Sequence, residues 1–146
     1  MYRIVRTDWG FQLTFGESAS AEEMRRFYEE SKIALQDVSV PFYVFVDMRT
    51  LIPLDKEAQI YMFQAQRMYR EMGMERSVVI LTSPVVAAQF RRIGGETGIG
   101  RWERYIDASS IPDWREVGMA WLLDGVDPEE AQRKSKTDPL IQVKTR

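Results

Sequence analysis

Five segments of the chain have the apolar patterns that are typical of β-strands. The first two alternate apolar and polar residues around the turn-forming triplet Asp8-Trp9-Gly10, so we predict an N-terminal β-hairpin. The segments FYVFV and SVVILT are continuously apolar, which indicates strands covered on both faces. The predicted strands are Tyr2–Thr7, Phe11–Phe15, Phe42–Val46, Ser77–Thr82 and Trp102–Ile106.

Four further segments repeat apolar residues at helical spacing, and each begins with residue types that favour helix N-termini. Ser20 precedes Glu23 by three residues, the spacing of a capping box, and Asp55 can cap the second helix. Glycines predict the ends of the later helices. The predicted helices run from Ser20 to about Asp37, from Asp55 to Gly73, from Ser83 to the Gly94-Gly95 pair, and from Ser110 to Gly125.

The predicted elements follow the order β-β-α-β-α-β-α-β-α. This alternation is typical of an α/β fold in which helices flank a mostly parallel sheet, here with a hairpin at the N-terminus. A chain of 146 residues has the length of about one domain. We predict that the α/β domain covers residues 1–125 and that residues 126–146 form a polar, charge-mixed C-terminal tail.

The absence of two residue types excludes several kinds of catalytic and metal-binding site. The sequence contains no cysteine and no histidine, which excludes disulfides, thiolate nucleophiles, cysteine zinc sites and Ser-His-Asp catalysis. Carboxylates alone could still hold Mg²⁺ or Ca²⁺. We nevertheless predict a non-enzymatic protein with no cofactor and no metal.

Charge and hydropathy bear on the partners and on the location of the protein. The net charge of −2 supplies no basic field for phosphates, so we expect no nucleic-acid partner. No apolar segment is long enough for a signal peptide or a membrane span. We therefore expect a cytoplasmic protein.

The loop after the third predicted strand holds the densest set of charges near a strand end. Its members are Asp47, Arg49, Asp55, Lys56 and Glu57, and the two aspartates are eight residues apart. One interpretation is a recognition surface at the carboxyl ends of the strands, where open α/β sheets bind ligands. The other is structural: Asp55 caps the second helix, and its neighbours are solvated first-turn residues. Both interpretations stay open from the sequence.

A glycine-rich segment, GGETGIGR, follows the third predicted helix. It is not a phosphate loop of the nucleotide-binding kind, because it lies between a helix and a strand rather than between a strand and a helix. The glycines are expected to end the helix, and an anion site is a second hypothesis. Its residues would be Arg91, Arg92, Gly98, Gly100 and Arg101.

The second predicted helix has more apolar residues than a core-facing stripe needs. Its stripe includes Met62, Ala65 and Tyr69, whereas Ile60 and Phe63 lie off it. These two residues widen the apolar arc, which suggests a partner protein, a second subunit or a ligand cavity.

The element order and the loop resemble the STAS domain, the fold of the bacterial anti-sigma-factor antagonist SpoIIAA. In that family a buried strand ends in an aspartate, and a second aspartate eight residues later precedes a phosphorylatable serine, a small hydroxyl residue and a glycine. The matching positions here are Asp47, Asp55, Lys56, Glu57 and Ala58. The resemblance extends over roughly residues 2–125 and includes SVVILTS, PVVAAQFRRIG and the closing strand and helix.

The residue at the switch position departs from the family pattern. Lys56 cannot accept a phosphoryl group as serine does, and it cannot imitate the charge of phosphoserine, so the phosphorylation switch is not expected. What the resemblance implies is a regulatory module that acts through a protein partner or as a homodimer.

Two other functions remain open. The first is a small-ligand or lipid-binding domain, because eukaryotic lipid-transfer domains share this broad fold class and helices two and three could cover an apolar cavity. The second is an enzyme that uses Asp47, Asp55 and Lys56, for which the sequence indicates no substrate.

Overall fold

The computed structural model describes residues 1–129 and confirms the predicted order of elements. Within residues 1–129, two strands form an N-terminal hairpin, four α-helices then alternate with three further strands, and a 3₁₀ turn precedes the last strand. The elements are β1 Tyr2–Arg6, β2 Gly10–Phe15, α1 Ala21–Ala34, β3 Phe42–Met48, α2 Lys56–Glu71, β4 Met74–Leu81, α3 Pro84–Thr97, the 3₁₀ turn Ile99–Arg101, β5 Glu103–Asp107 and α4 Trp114–Asp124.

The strands form one sheet in the order β1-β2-β3-β4-β5. β1 pairs antiparallel with β2, and every later pair is parallel. The hairpin turn needs glycine at position 10, where φ is +149° and a Cβ atom would lie 2.0 Å from the Tyr43 carbonyl oxygen. The predicted hairpin and mostly parallel sheet are therefore confirmed.

Helices cover the sheet on both faces. Successive side chains of a strand point to opposite faces, so neighbouring residues of one strand pack against different helices. On one face, side chains of α1, α2 and α3 such as Phe27, Met62 and Phe90 pack over Val44 and other strand residues. On the other face, α4 packs its Trp121 and Leu122 against strand residues Phe45, Val78, Ile80 and Ile106. The continuously apolar strands β3 and β4 are thus buried on both faces, as predicted.

Several predicted boundaries differ from the observed ones. The predicted end of helix three at Gly94-Gly95 is wrong: α3 continues to Thr97, and Gly98 ends it in the left-handed conformation with φ +87°. β3 continues through Asp47 and Met48, since both pair with β4. The first helix ends at Ala34 rather than at Asp37, and α4 begins at Trp114 rather than near Ser110.

The predicted C-terminal tail lies mostly outside the described residues. Residues 130–146 are not described, so the boundary at residue 125 stays a prediction. Within the described part, Glu129 pairs with Arg91 at 3.1 Å, and Asp127 pairs with Arg104 at 3.0 Å. None of the helices within residues 1–129 has the length and apolarity needed to cross a bilayer.

Candidate functional site

The loop between β3 and α2 is held firmly at both ends. Leu51 and Leu54 are buried in the core, and Gln89 of α3 bonds to both backbone polar groups of Leu54 at 2.9 and 3.0 Å. At the other end, the Thr82 hydroxyl donates a hydrogen bond to the Arg49 carbonyl oxygen at 2.8 Å. These contacts join the loop to the segment after β4 and to α3, so its surface is preorganised.

Asp47 and Arg49 form a bidentate ion pair at the carboxyl end of β3. Arg49 donates from Nε and from a terminal nitrogen to the two carboxylate oxygens, at 3.0 Å each. Its guanidinium also lies 4.3 Å from the ring centre of Trp114, and the hydrogen bonds with Asp47 raise the pKa of Arg49. The pair therefore connects the strand end to α4.

Asp55 caps α2, and the residues after it are solvated. Asp55 Oδ1 accepts a hydrogen bond from the Ala58 backbone N–H at 2.8 Å, while Lys56 and Glu57 are exposed. Within residues 1–129, no hydrogen bond or ion pair links Asp47 or Arg49 to these three residues. The five predicted loop residues thus form two separate groups, one against α4 and one at the start of α2.

The loop also exposes an apolar side chain that the sequence analysis did not single out. Ile52 is 55% exposed, although its neighbour Leu51 is buried. Its backbone N–H donates to the Glu17 carbonyl oxygen at 2.8 Å, which fixes its position. The signal in the sequence was the run LIPL, whose two leucines are buried while the residues between them face solvent.

The predicted anion-site residues are separately engaged. Arg91 pairs with Glu129 and lies 4.5 Å from the Tyr105 ring centre. Arg92 pairs with Glu96 at 2.8 Å and also bonds to Gln59. The remaining predicted residues have local roles: Gly98 ends α3, Gly100 lies in the 3₁₀ turn, and Arg101 lies 5.5 Å from the Trp102 ring centre.

A buried polar cluster between α3 and the sheet was missed by the sequence analysis. Glu103 begins β5 and is only 4% exposed. Its carboxylate accepts a hydrogen bond from Ser77 Oγ at 3.0 Å, and its other oxygen lies 2.5 Å from the Tyr105 hydroxyl. The alternation in WERYI was the available signal, since residues 103 and 105 lie on one face of a strand.

The electrostatics of this cluster favour a neutral carboxyl group. Burial raises the pKa of Glu103 to about 7, against the opposing effect of its bonds to Tyr105 and Ser77. Glu103, Ser77 and Gln66 border an otherwise apolar cavity of about 40 Å³. A space of this size accommodates a few water molecules, since one water needs roughly 10–15 Å³.

The outer surface of α2 carries a groove of about 940 Å³. Ile60, Phe63 and Met68 line it, and it is flanked by Tyr28 of α1 and by Arg92 of α3. Ile60 is 55% exposed and Phe63 is half-buried. The off-stripe residues that the sequence analysis noted are therefore at the surface.

These features together define an α/β protein with a SpoIIAA-like fold, as the sequence predicted. A solved structure of an uncharacterized protein of the DUF3478 family with a SpoIIAA-like fold, from Shewanella loihica PV-4, is similar to this chain with a TM-score of 0.54. The similarity covers 78% of this chain and 91% of that chain at 15% sequence identity, a level that shows the fold alone. No protein-family model and no curated protein matches this chain.

Proposed function

We propose that this protein is a non-enzymatic, cytoplasmic regulatory module that acts by binding another protein. The binding surface is the loop from Arg49 to Glu57, at the carboxyl end of β3. The observation that carries the proposal is the exposure of Ile52 on a loop whose flanking residues are anchored in the core. An apolar side chain on a preorganised loop loses little conformational freedom when a partner binds it.

The charges of the loop support binding rather than catalysis. The carboxylate of Asp47 is bonded to Arg49, and that of Asp55 is bonded to the backbone of α2. Each carboxylate therefore has a structural partner of its own. Lys56 stands at the position of the family's phosphorylated serine, so regulation would act through partner availability rather than through phosphorylation of this residue.

A small-ligand or lipid-binding function is less well supported. The internal cavity at Glu103 measures about 40 Å³, whereas small-molecule pockets measure about 300–1,000 Å³, and the groove of about 940 Å³ on α2 is open to solvent rather than enclosed. Native mass spectrometry of gently purified protein should therefore give the mass of the chain alone. A co-purifying small molecule would favour the ligand-binding function.

Affinity purification from the source cell tests the proposed function. Wild-type protein is compared with Ile52→Asp and with Ile33→Asp, which changes an isoleucine of α1 that is 68% exposed. A protein partner should be retained by the wild type and by the α1 control and lost by the loop variant. The same loss should be measured with the purified partner.

The proposal fails if no captured protein requires Ile52 for its retention. Both substitutions add a carboxylate to an exposed position, so they affect solubility and net charge alike. A partner that is lost equally from both variants would point to a general charge effect, and recovery of no partner by the wild type would contradict the proposal directly.

A further inference from the structure

The solvent-facing side of α2 has the pattern of a helix–helix interface. The buried stripe of α2 consists of Ala58, Met62, Ala65, Gln66 and Tyr69. Directly opposite, at spacings of three and four residues, runs a second stripe, which we name the outer stripe of α2. It consists of Lys56, Ile60, Phe63, Gln64, Arg67 and Glu71.

The outer stripe carries two apolar residues, Ile60 and Phe63, between its charged ends. Ile60 and Phe63 lie in the groove on α2, and the exposure of Ile60 is 55%. The exposed side of an amphipathic helix is ordinarily polar, and Ile60 departs from that pattern, whereas Phe63 is partly buried and packs against the core with its remaining surface in the groove. Within residues 1–129, the neighbouring elements leave more than half of the Ile60 surface exposed.

The two ends of the outer stripe carry opposite charges at equal distances from its centre. Lys56 is the first residue of α2 and Glu71 is the last, so both are equally far from the point between Phe63 and Gln64. When a second copy packs antiparallel about that point, each lysine meets the glutamate of the other copy. Within one copy, Lys56 forms no ion pair in the described residues, and Glu71 pairs with Arg67 at 3.7 Å at the surface.

We propose that two copies of this chain associate through antiparallel contact of their α2 outer stripes. The same register places Ile60 against the aliphatic stem of Arg67 from the other copy, and Phe63 beside Gln64. A two-fold contact of this kind uses the same patch twice, as closed dimers do. The inference goes beyond the proposed function, because it names a second copy as the partner and uses a surface centred on Ile60 rather than on Ile52.

The dimensions of the stripe imply a weak, concentration-dependent dimer. A helix of 16 residues is about 24 Å long. If the contact also includes the near sides of α1 and α3, it is roughly 18 Å wide, about two interhelix spacings. The footprint is therefore on the order of 400 Å² per copy, or about 800 Å² in total, which is below the roughly 1,200–2,000 Å² of stable specific interfaces and in the range of weak, transient ones. Dimerisation is expected to appear in concentrated solution and to reverse on dilution.

Exchanging the charges of Lys56 and Glu71 gives a specific test, because it distinguishes two-fold pairing from non-specific association. The Lys56→Glu chain carries acid at both ends of the stripe, and the Glu71→Lys chain carries base at both ends. Each variant should repel itself, with an association constant reduced roughly tenfold. An equimolar mixture should form heterodimers, because both end pairs are then complementary.

Neither charge exchange should weaken the helix itself. An acidic residue at the first position and a basic residue at the last both favour the helix dipole. Loss of association can therefore be attributed to the interface, and thermal unfolding of each variant checks this. Sedimentation equilibrium of the full chain, with one variant carrying a fluorescent label, measures the homodimers and the mixed dimer.

A matched pair of isoleucine substitutions tests the apolar part of the outer stripe. Ile60→Asp should abolish the dimer, whereas Ile33→Asp on α1 should leave it unchanged. Ile52→Asp should also leave it unchanged, so failure of the dimer and failure of the loop–partner contact are separate results. A wild-type chain that stays monomeric in concentrated solution, or a mixture of the two charge variants that does not associate, would overturn the inference.

Discussion

The Tyr105 hydroxyl oxygen lies 2.5 Å from a carboxylate oxygen of Glu103, and both side chains are buried between α3 and the sheet. The same hydroxyl lies 3.0 Å from the Phe90 carbonyl oxygen of α3. A hydroxyl has one proton, so it can donate to only one of these acceptors. When Glu103 is protonated, it can donate to Tyr105 and leave the tyrosine proton for Phe90.

We predict that Glu103 makes the stability of the protein depend on pH. Its folded-state pKa is about 7, above the ordinary value of 4.5, because burial disfavours the charged form. Its contribution is therefore fully present below about pH 4.5 and is lost as the pH rises through about 7. The loss amounts to about 3 kcal/mol, from 1.36 kcal/mol per unit of pKa difference. Urea unfolding between pH 4 and 8 measures it.

Glu103→Gln should remove this pH dependence, because glutamine resembles the protonated acid. The variant should exceed the wild type in unfolding free energy at pH 8 and lose that advantage as the pH falls to 5. Glu57→Gln is the control, since Glu57 is exposed on the first turn of α2. A constant difference between wild type and Glu103→Gln across this range would contradict the prediction.

The buried cluster shows where sequence patterns stop being informative. The pattern WERYI predicted a strand, and its alternation put residues 103 and 105 on one face. Which face is buried depends on α3, whose position over β5 is set by packing along the whole sheet. Glutamate is rarely fully buried, so the residue type at position 103 gives no local signal of an inward side chain.

The adjacent glycines of α3 give a matched test of the same cluster. At Gly94 a Cβ atom would lie 3.0 Å from the Tyr105 hydroxyl and 3.2 Å from the Glu103 carboxylate. At Gly95 it would meet nothing within 4 Å. Gly95→Ala should stabilise the protein by roughly 0.5–1 kcal/mol through helix propensity.

Gly94→Ala should be less stable than Gly95→Ala, by roughly 1–3 kcal/mol, because the added methyl group displaces buried, hydrogen-bonded atoms. Guanidinium unfolding of both variants at one pH measures the difference. Equal stabilities would mean that the cluster yields to the methyl group without cost. The same contacts give a reason for glycine at position 94 inside α3, although the sequence pattern placed the helix end there.

The loop residues were predictable to different degrees. Asp55 precedes a helical apolar pattern, and local rules for helix N-termini correctly predicted that it caps α2. The stacking of Arg49 on Trp114 could not be predicted, because 65 positions separate them in the chain and α4 packs on the sheet face opposite α2. The sequence predicted local features such as the helix cap, whereas contacts between distant elements could be identified only from the three-dimensional structure.

The cap at Asp55 gives a last prediction, which separates a structural role from recognition. Asp55→Ala should lower the unfolding free energy by about 1 kcal/mol, because the Ala58 N–H loses its acceptor. Asp55→Ser should restore most of that loss, since a serine hydroxyl also caps. If the loop binds its partner through Ile52, the serine variant should keep wild-type affinity, measured by titration calorimetry. A serine variant that is stable but loses the partner would instead make the Asp55 carboxylate a recognition group.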